Sequence, residues 1–507
     1  MTRSLADTSL RPSRTSATPL SVLAALAGGK ITDQLPVTGV TLCAQRALPG
    51  DLFVALPSLT PGRPHGAGYA GAAVRAGAIA VLTDPPGARD GALAGLTVPV
   101  LVHPDPRSLV GVMASRVYGE PSTRLAALGI TGTAGKTTTA YFLEAGLRAA
   151  GARTGLLGTV GARIGDDALP TGFTTPEAPE FQALLALMAE RGVTHVPLEV
   201  SSHALALGRV SGTTFAVGAF TNLSQDHLDF HTDLEDYFAA KARLFDGRAA
   251  AEVVCADDAW GRRLVTSATT TVSLTGDATW RAADLTSEPS GRQRFRALGP
   301  GGLRVGVTIS LPGAFNVTNA LLALAMGHAA GADPALLARG IATAEVPGRM
   351  QRVGSGQDFL ALVDYAHKPA AVAALLDAVR AQVSGRLLVV LGCGGDRDRA
   401  KRPLMGAEAA RRADLLVVTD DNPRTEDPAA IRAEMLSGAR GGPAEVVEIA
   451  DRRAAIAHAV IRACAGDAVI VAGKGHEATQ EICGVKHPFA DVGVLAELLD
   501  QRAGAGS

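Results

Sequence analysis

The chain has 507 residues, which at about 150 residues per domain gives roughly three domains and excludes a peptide or a single small module. Its 48 Lys and Arg against 49 Asp and Glu leave a formal charge of −1, without the broad basic field of a general nucleic-acid binder. With 47% hydrophobic and 19% charged residues, intrinsic disorder is excluded for most of the length.

The first residues, MTRSLADTSLRPSRTSATPL, lack the apolar core of a signal peptide, and no later stretch offers about 18 uninterrupted apolar residues. The expectation is a cytoplasmic protein with no membrane or nucleic-acid partner, frayed over about its first 15 residues. Cys43, Cys255, Cys393, Cys464 and Cys483 are scattered, odd in number and without a CxxC pair. That argues against a disulfide framework or a zinc ribbon and fits a reducing compartment.

In chain order, apolar runs at 52–56, 78–83 and 98–102 alternate with Ala- and Leu-rich helical stretches. A break at 118–123 (YGEPST) precedes further runs at 125–131, 196–200 and 215–221. A helix-like 319–330 leads to a second break at 346–349 (VPGR), followed by runs at 359–364, 387–391, 415–419 and 468–472. Strand and helix repeating in turn imply an α/β fold with mainly parallel sheets, and the breaks divide it into 1–118, 119–345 and 346–507. Ligands of such sheets gather at the carboxyl ends of strands, so the polar residues after each run are the ones to search. No repeat period or heptad run is present.

The run at 125–131 enters Gly132-Thr-Ala-Gly-Lys-Thr-Thr-Thr139, and 140–150 reads as a helix ending at Gly151. Glycines let backbone N–H groups curl around phosphate oxygens, and the helix N-terminus adds positive dipole. Lys136 adds a charge, and Thr137 offers a hydroxyl to Mg²⁺. The strict eight-residue phosphate-loop pattern needs Gly at position 130, which is Ile130, so the loop is a compressed variant.

Glu199 ends an apolar run, where a carboxylate beside a nucleotide suits Mg²⁺; capping of the next helix is the bland alternative. Residues 222–231 (NLSQDHLDFH) hold two histidines and two aspartates just past a strand. The cluster alone could bind zinc, but the absence of nearby cysteines and the phosphate loop favour magnesium and a nucleotide. His227 carries most weight, since Asp229 or His231 could cap a helix. Within 234–245 the apolar stripe falls at 234, 237, 238, 244 and 245, with Lys241 in its middle at helical spacing. Such a lysine either snorkels to water or is a desolvated amine able to react with CO₂ and ligate a metal as a carbamate.

Together these segments resemble the Mur ligase family, and within it the UDP-N-acetylmuramoyl-tripeptide synthetases, over nearly the whole chain. The resemblance rests on GTAGKTTT (132–139), TTPE (174–177), EVSSHAL (199–205), FTNLSQDHLDFH (220–231), YFAAKARLF (237–245) and FNVTNA (315–320). It continues through PGRM (347–350), DYAHKP (364–369), GCGGDRDRAKRP (392–403), DNPR (421–424) and GKGHE (473–477). It implies an N-terminal UDP-binding domain, a central ATPase domain with a phosphate-loop sheet, and a C-terminal Rossmann-like domain that brings the incoming amino acid.

The resemblance also implies roles. Gly132, Thr133, Gly135, Lys136, Thr137 and Thr138 would hold the ATP phosphates, with Asn316, Arg349 and Asp364 contacting the nucleotide. Thr137, Glu199, His227 and a carbamate on Lys241 would hold Mg²⁺, and Lys136, His227 and Lys241 would serve catalysis. Thr174, Thr175, Ser202 and Arg209 would face a UDP-MurNAc-dipeptide. DNPR goes in this family with meso-diaminopimelate: Arg424 can grip its distal carboxylate bidentately, whereas lysine has none. Arg397, Asn422, Gly473 and Glu477 match the remaining contacts, and a monomer is expected.

The chain departs from the pattern at three places: Ala134 for a usual Asn, Lys368 for a commoner Thr, and Cys43-Ala44-Gln45 for Asp-Ser-Arg before Pro49-Gly50-Asp51. Ala44 removes the hydroxyl that bonds uracil, a loss of about 1 to 3 kcal/mol at a buried base. Two rivals follow. One is a folylpolyglutamate-type or other ligase with a different acceptor, which should lack DNPR with GKGHE. The other is a nucleotide-binding paralogue without chemistry, which should have lost Glu199, His227 or Lys241.

Overall fold

The computed structural model describes residues 10–60, 62–169, 174–288, 291–354 and 356–505. Three sheets carry the fold. The first is parallel, with strands Gly39–Thr41, Asp51–Ala55, Ala80–Thr83 and Val100–Val102 in sequential order. The second has 11 strands. Its parallel centre runs Gly155–Gly158, His195–Glu199, Ala126–Thr131, Phe215–Phe220, Ala249–Cys255, Thr270–Ser273 and Trp280–Ser287. Antiparallel strands flank it, Gly161–Ile164 and Asp167–Leu169 at one edge, Gln293–Leu298 and Arg304–Ile309 at the other. The third orders Gln351–Arg352, Leu360–Asp364, Ala468–Ala472, Leu387–Leu391, Leu415–Val418 and Glu445–Glu448, parallel except for its first strand.

All ten apolar runs read from the sequence lie on strands, displaced by no more than two residues at either end. They are legible because most of their residues are buried, helices covering both sheet faces, so no polar alternation interrupts them. The second sheet is covered by Lys136–Ala149 and by Ala314–Ala329, a helix that starts five residues earlier than its apolar signature. Leu321, Leu322 and Leu324 are fully buried there, and burying each such side chain stabilises by about 2 kcal/mol. Lys136–Ala149 ends before Gly151, whose φ of +88° gives the left-handed exit that a helix C-terminus favours. The stretch 234–245 is an α-helix over Leu234–Ala242 and a single 3₁₀ turn over Arg243–Phe245.

The expected fraying of the N-terminus lies partly outside the described residues and partly requires correction. Arg11 donates to Asp51 through Nη1 (2.5 Å) and Nη2 (2.9 Å), and Ser13 N donates to Glu190 (2.7 Å). Asp51 is fully buried, and a buried carboxylate needs a partner; Arg11 supplies it and ties the segment down. Among the described residues no helix is long and apolar enough to cross a membrane.

Candidate active site

Strand Ala126–Thr131 lies between His195–Glu199 and Phe215–Phe220, so its carboxyl end is a point where the order of connection reverses. The loop leaving it cannot carry side chains at two positions. Gly132 has φ +143° and a Cβ there would collide with Thr221; Gly135 has φ +87° and a Cβ would collide with Asn319. Between them Ala134 N donates to Asn222 Oδ1 (3.0 Å), while Asn222 Nδ2 (3.1 Å) and Thr221 Oγ1 (2.6 Å) donate to Ala134 O. Asn222 thus braces the loop from outside, where Ala134 has no polar side chain to brace it from within. The helix beginning at Lys136 presents first-turn N–H groups without intrahelical acceptors, an anion-binding arrangement.

Three lysines from distant parts of the chain converge on this loop. Lys136 Nζ donates to Gly132 O (2.8 Å) and Thr133 O (3.1 Å), Lys241 Nζ to the same Gly132 O (2.8 Å), and Lys368 Nζ to the same Thr133 O (3.4 Å). Ammonium groups sharing one carbonyl stand within about 6 Å, where like charges repel by about 3 kcal/mol at an effective dielectric of 20. Desolvation, with repulsion from Lys368, lowers Lys136 to about 8 against the attraction of Glu199 and Asp226. Lys241 is 1% exposed and lies over the Tyr237 ring (4.5 Å), so its amine does not snorkel to water. Burial, followed by Lys136 and Lys368, pushes it well below the usual lysine range.

Glu199, 2% exposed, accepts from Thr159 N and Thr159 Oγ1, both at 2.9 Å. The following helix is capped by Ser201 instead, whose Oγ accepts from Ala204 N. His227 has φ +54° and stands 3.1 Å from Asp226. Burial outweighs Asp226 and lowers His227 to about 3, which leaves a neutral imidazole near pH 7, the form that ligates metals. For Asp226 burial pulls upward, but Lys368 and His227 overcome it and hold the carboxyl below the usual range. Asp233 caps the helix Leu234–Ala242, so neither Asp229 nor His231 does. His231 is buried instead, facing Ser202 Oγ (3.0 Å) and Asp236 (3.2 Å). Thr133 and Thr138 are buried in the loop and first turn.

Thr174 Oγ1 lies 3.3 Å from Thr159 Oγ1, and Thr175 Oγ1 donates to Glu199 O (2.9 Å). Arg209 donates to Thr175 O (3.2 Å) and pairs with Glu177 (2.8 Å). These residues and Ser202 therefore gather around Glu199. Asn316 Nδ2 donates to Pro312 O (2.7 Å), and its Oδ1 accepts from Asn319 (3.2 Å). Both Asp364 oxygens are engaged by backbone N–H groups, of Met350 and Ala366, each at 2.7 Å. This carboxylate braces the start of the third sheet, and burial raises it despite Arg349.

A second group sits at the carboxyl edge of the third sheet. Asn422 Nδ2 donates to Glu477 (2.7 Å), and Asn422 Oδ1 accepts from Lys474 Nζ (3.1 Å) and Glu481 N (2.9 Å). Lys474, fully buried, also reaches Glu477 (3.1 Å). Arg424 has φ +54° and donates to Gly395 O; its backbone is clamped by the hairpin Thr479–Ile482 and Val485–Pro488, through Arg424 N to Glu481 O (3.0 Å). Gly473, at φ +111°, could not take a Cβ without pressing on Asp421 (2.6 Å). Arg397 is exposed and donates to its neighbour's carbonyl, Asp396 O (3.1 Å).

The two groups meet at a seam. Arg349 donates through Nη2 to Thr137 Oγ1 (3.2 Å), lies over the Tyr365 ring (4.4 Å), and keeps a buried Nε with no hydrogen-bond partner among the described residues. His476 Nε2 is 3.1 Å from Thr159 O, the residue whose N and Oγ1 hold Glu199. A short chain, Glu199 to Thr159 to His476 to the adjacent Glu477, therefore links the phosphate loop to the second group. Sequence reasoning misses Thr159, Asn222, Asp226, Tyr365, Lys474 and His476 as members. Five of them lie inside the motifs quoted above with no role assigned, and Thr159 is marked only by its position directly after the strand Gly155–Gly158. Far from the loop, Ala44 is buried in the 3₁₀ turn Ala44–Arg46, beside a Cys43 Sγ that contacts Gln45 Oε1 (3.2 Å).

Among the described residues no three His, Cys, Asp or Glu side chains are grouped to hold a metal unaided. Mg²⁺ takes one or two carboxylates and completes its shell with phosphate oxygens and water. Glu199 retains acceptor lone pairs, the Thr137 hydroxyl is at the loop, His227 is neutral, and the orphaned Arg349 Nε is a donor suited to an anion.

The Mur ligase middle domain family matches residues 130–327, and the Mur ligase glutamate ligase domain family matches 348–475. A UDP-N-acetylmuramoyl-L-alanyl-D-glutamate--2,6-diaminopimelate ligase of Corynebacterium efficiens is 53% identical over 88% of this chain and 87% of its own. One of the same description from Streptomyces avermitilis is 51% identical over 97% of this chain and 99% of its own. A solved structure so described superposes with a TM-score of 0.67 at 35% identity, covering 97% of this chain and 100% of that one.

Proposed function

This chain belongs to the Mur ligase family, and on that premise we propose that it uses ATP to add meso-2,6-diaminopimelate to UDP-N-acetylmuramoyl-L-alanyl-D-glutamate, a step of peptidoglycan precursor synthesis. The γ-phosphoryl group of ATP passes to the D-glutamyl γ-carboxylate, giving an acyl phosphate and ADP. The free amine of diaminopimelate attacks that carbonyl, phosphate leaves, and an amide remains. The observation that carries the reading is the seam: a cation-rich phosphate loop and a polar, amine-accepting group tied together through Thr159 and His476.

In this reading Lys136 and the helix N-terminus hold the phosphates, and Arg349 reaches the nucleotide from the third sheet. Thr174, Thr175, Ser202 and Arg209 orient the dipeptide carboxylate beside Glu199. Glu477, held by Asn422 and Lys474, receives the amine, and Arg424 with Arg397 grips the distal carboxylate. Closure at the seam excludes water, which would otherwise hydrolyse the acyl phosphate. Thr137, Glu199, His227 and a carbamate on Lys241 would hold Mg²⁺, which when bound neutralises charge on the transferring group. The lowered Lys241 amine favours the neutral form that reacts with CO₂. Residues 1–118, 119–345 and 346–507 are proposed as the uridine, ATP and amino-acid domains of a cytoplasmic monomer.

The test is phosphate release from ATP with UDP-MurNAc-L-Ala-D-Glu and meso-diaminopimelate, L-lysine or no amine, with product masses recorded. Tripeptide formed with diaminopimelate alone is expected, Ala44 notwithstanding. ATP binding without tripeptide from either amine would overturn the proposal.

A further inference from the structure

The three lysines at the phosphate loop differ in origin. Lys136 belongs to the loop and Lys241 to the helix Leu234–Ala242, but Lys368 comes from the third sheet, four residues beyond the strand Leu360–Asp364. It crosses the seam to reach Thr133 O (3.4 Å), the same carbonyl that takes a hydrogen bond from Lys136 (3.1 Å). On its other side Lys368 stands 2.6 Å from Asp226 Oδ2, on the residue preceding His227, so it lies between the loop and the segment 222–231. Both side chains are 13% exposed, which makes this an ion pair sheltered from solvent. Its geometry leaves Lys368 with a single carboxylate partner among the described residues, while the Lys136 ammonium crowds the same carbonyl. A polyanion entering the loop would relieve that crowding, and an oxygen placed between Lys136 and Lys368 would accept from both.

We propose that Lys368 is a phosphoryl-binding residue of the ATP site: it exchanges Asp226 for the terminal phosphate of ATP and so makes the site distinguish ATP from ADP. The helix N-terminus and Lys136 contact what both nucleotides share. Lys368, arriving from the opposite side of the seam, contacts what only the triphosphate has. This rests on the ligase reading above and adds to it a residue whose type departs from the resembled pattern. It also assigns Asp226 a resting role, holding the ammonium in place while the loop is empty of nucleotide.

The experiment measures equilibrium binding of ADP and of a non-hydrolysable ATP analogue, with Mg²⁺, by calorimetry on the full chain. Wild-type protein, Lys368→Met, Lys368→Arg and the double variant Lys368→Met with Asp226→Asn are compared. Removing a charge-assisted bond should weaken the analogue by about tenfold or more and ADP by less than about twofold. Lys368→Arg should keep most of the analogue's advantage. The double variant should match Lys368→Met, because it no longer buries Asp226 unpaired and thus separates lost binding from lost folding. Equal weakening of both nucleotides, or no change in either, would overturn the proposal. Failure of the wild-type protein to bind either nucleotide would instead overturn the ligase reading on which it stands.

Discussion

The phosphate loop and the group around Asn422 are both polar, half-buried and placed at the carboxyl edges of parallel strands, yet they are balanced in opposite ways. At the loop, Lys136 and Lys368 share one carbonyl and Arg349 reaches Thr137, three cations with Asp226 and Glu199 as the nearby counter-charges. Around Asn422 the charges are paired with one another: Lys474 meets Glu477 and Asn422, and Arg452 and Asp491 form a fully buried pair at 2.7 Å. The first site is held in a charge surplus that only a polyanion relieves. The second is a settled hydrogen-bond network suited to a zwitterion, where geometry rather than net charge selects the ligand.

The sharpest way to break this contrast is to remove charge at the loop. Lys136→Met should lower kcat/KM for ATP on the order of 10³-fold, the scale for losing a donor aimed at developing charge, measured by phosphate release. A change under about tenfold would mean that the surplus is not functional. At the second site, geometry should matter even when charge is kept. Arg424→Lys should raise KM for diaminopimelate by tens of fold, as expected for about 2 kcal/mol of lost bidentate bonding, with the KM for ATP unmoved. The smallest effect is in pH. Lys136 lies near 8 in the nucleotide-free protein. A bound phosphate favours the charged amine and raises that value, so binding takes up a proton where the free site has lost it. ADP affinity should be flat below about pH 8 and fall by at most about tenfold per unit above it, with proton uptake visible by calorimetry in two buffers.

Much of this architecture is legible in the amino-acid sequence. The ten apolar runs are strands because parallel strands are buried on both faces, and Lys241 stands out because its helical stripe predicts a lysine inside. The strands Trp280–Ser287, Gln293–Leu298 and Arg304–Ile309 escape such a reading for the converse reason. Gln293–Leu298 alternates buried and exposed residues, so Arg294 and Arg296 dilute the apolar signal, and only a period of two reveals it. The loop's glycines can be inferred from what a phosphate cradle requires. Asn222 as the brace for Ala134 cannot, because hydrogen bonding across neighbouring strand ends leaves no trace in spacing. Asp364 illustrates a different limit. A motif marks it for the nucleotide, but does not reveal that each of its oxygens also accepts from a backbone N–H, of Met350 and of Ala366.

The seam contacts of Arg349 with Thr137 and of His476 with Thr159 have a consequence in time rather than in space. The first ties the third sheet to the helix turn leaving the loop, the second to the residue that holds Glu199, and Arg349 itself sits in a chain reversal between Gly348 (φ +65°) and Met350 (φ +44°). While they are made, the third sheet is held against the first turn after the loop and against the residue that holds Glu199. Parting the seam breaks both contacts. A turnover that opened and closed it once would have the slower of these motions as a ceiling on rate that no improvement in the chemistry can lift.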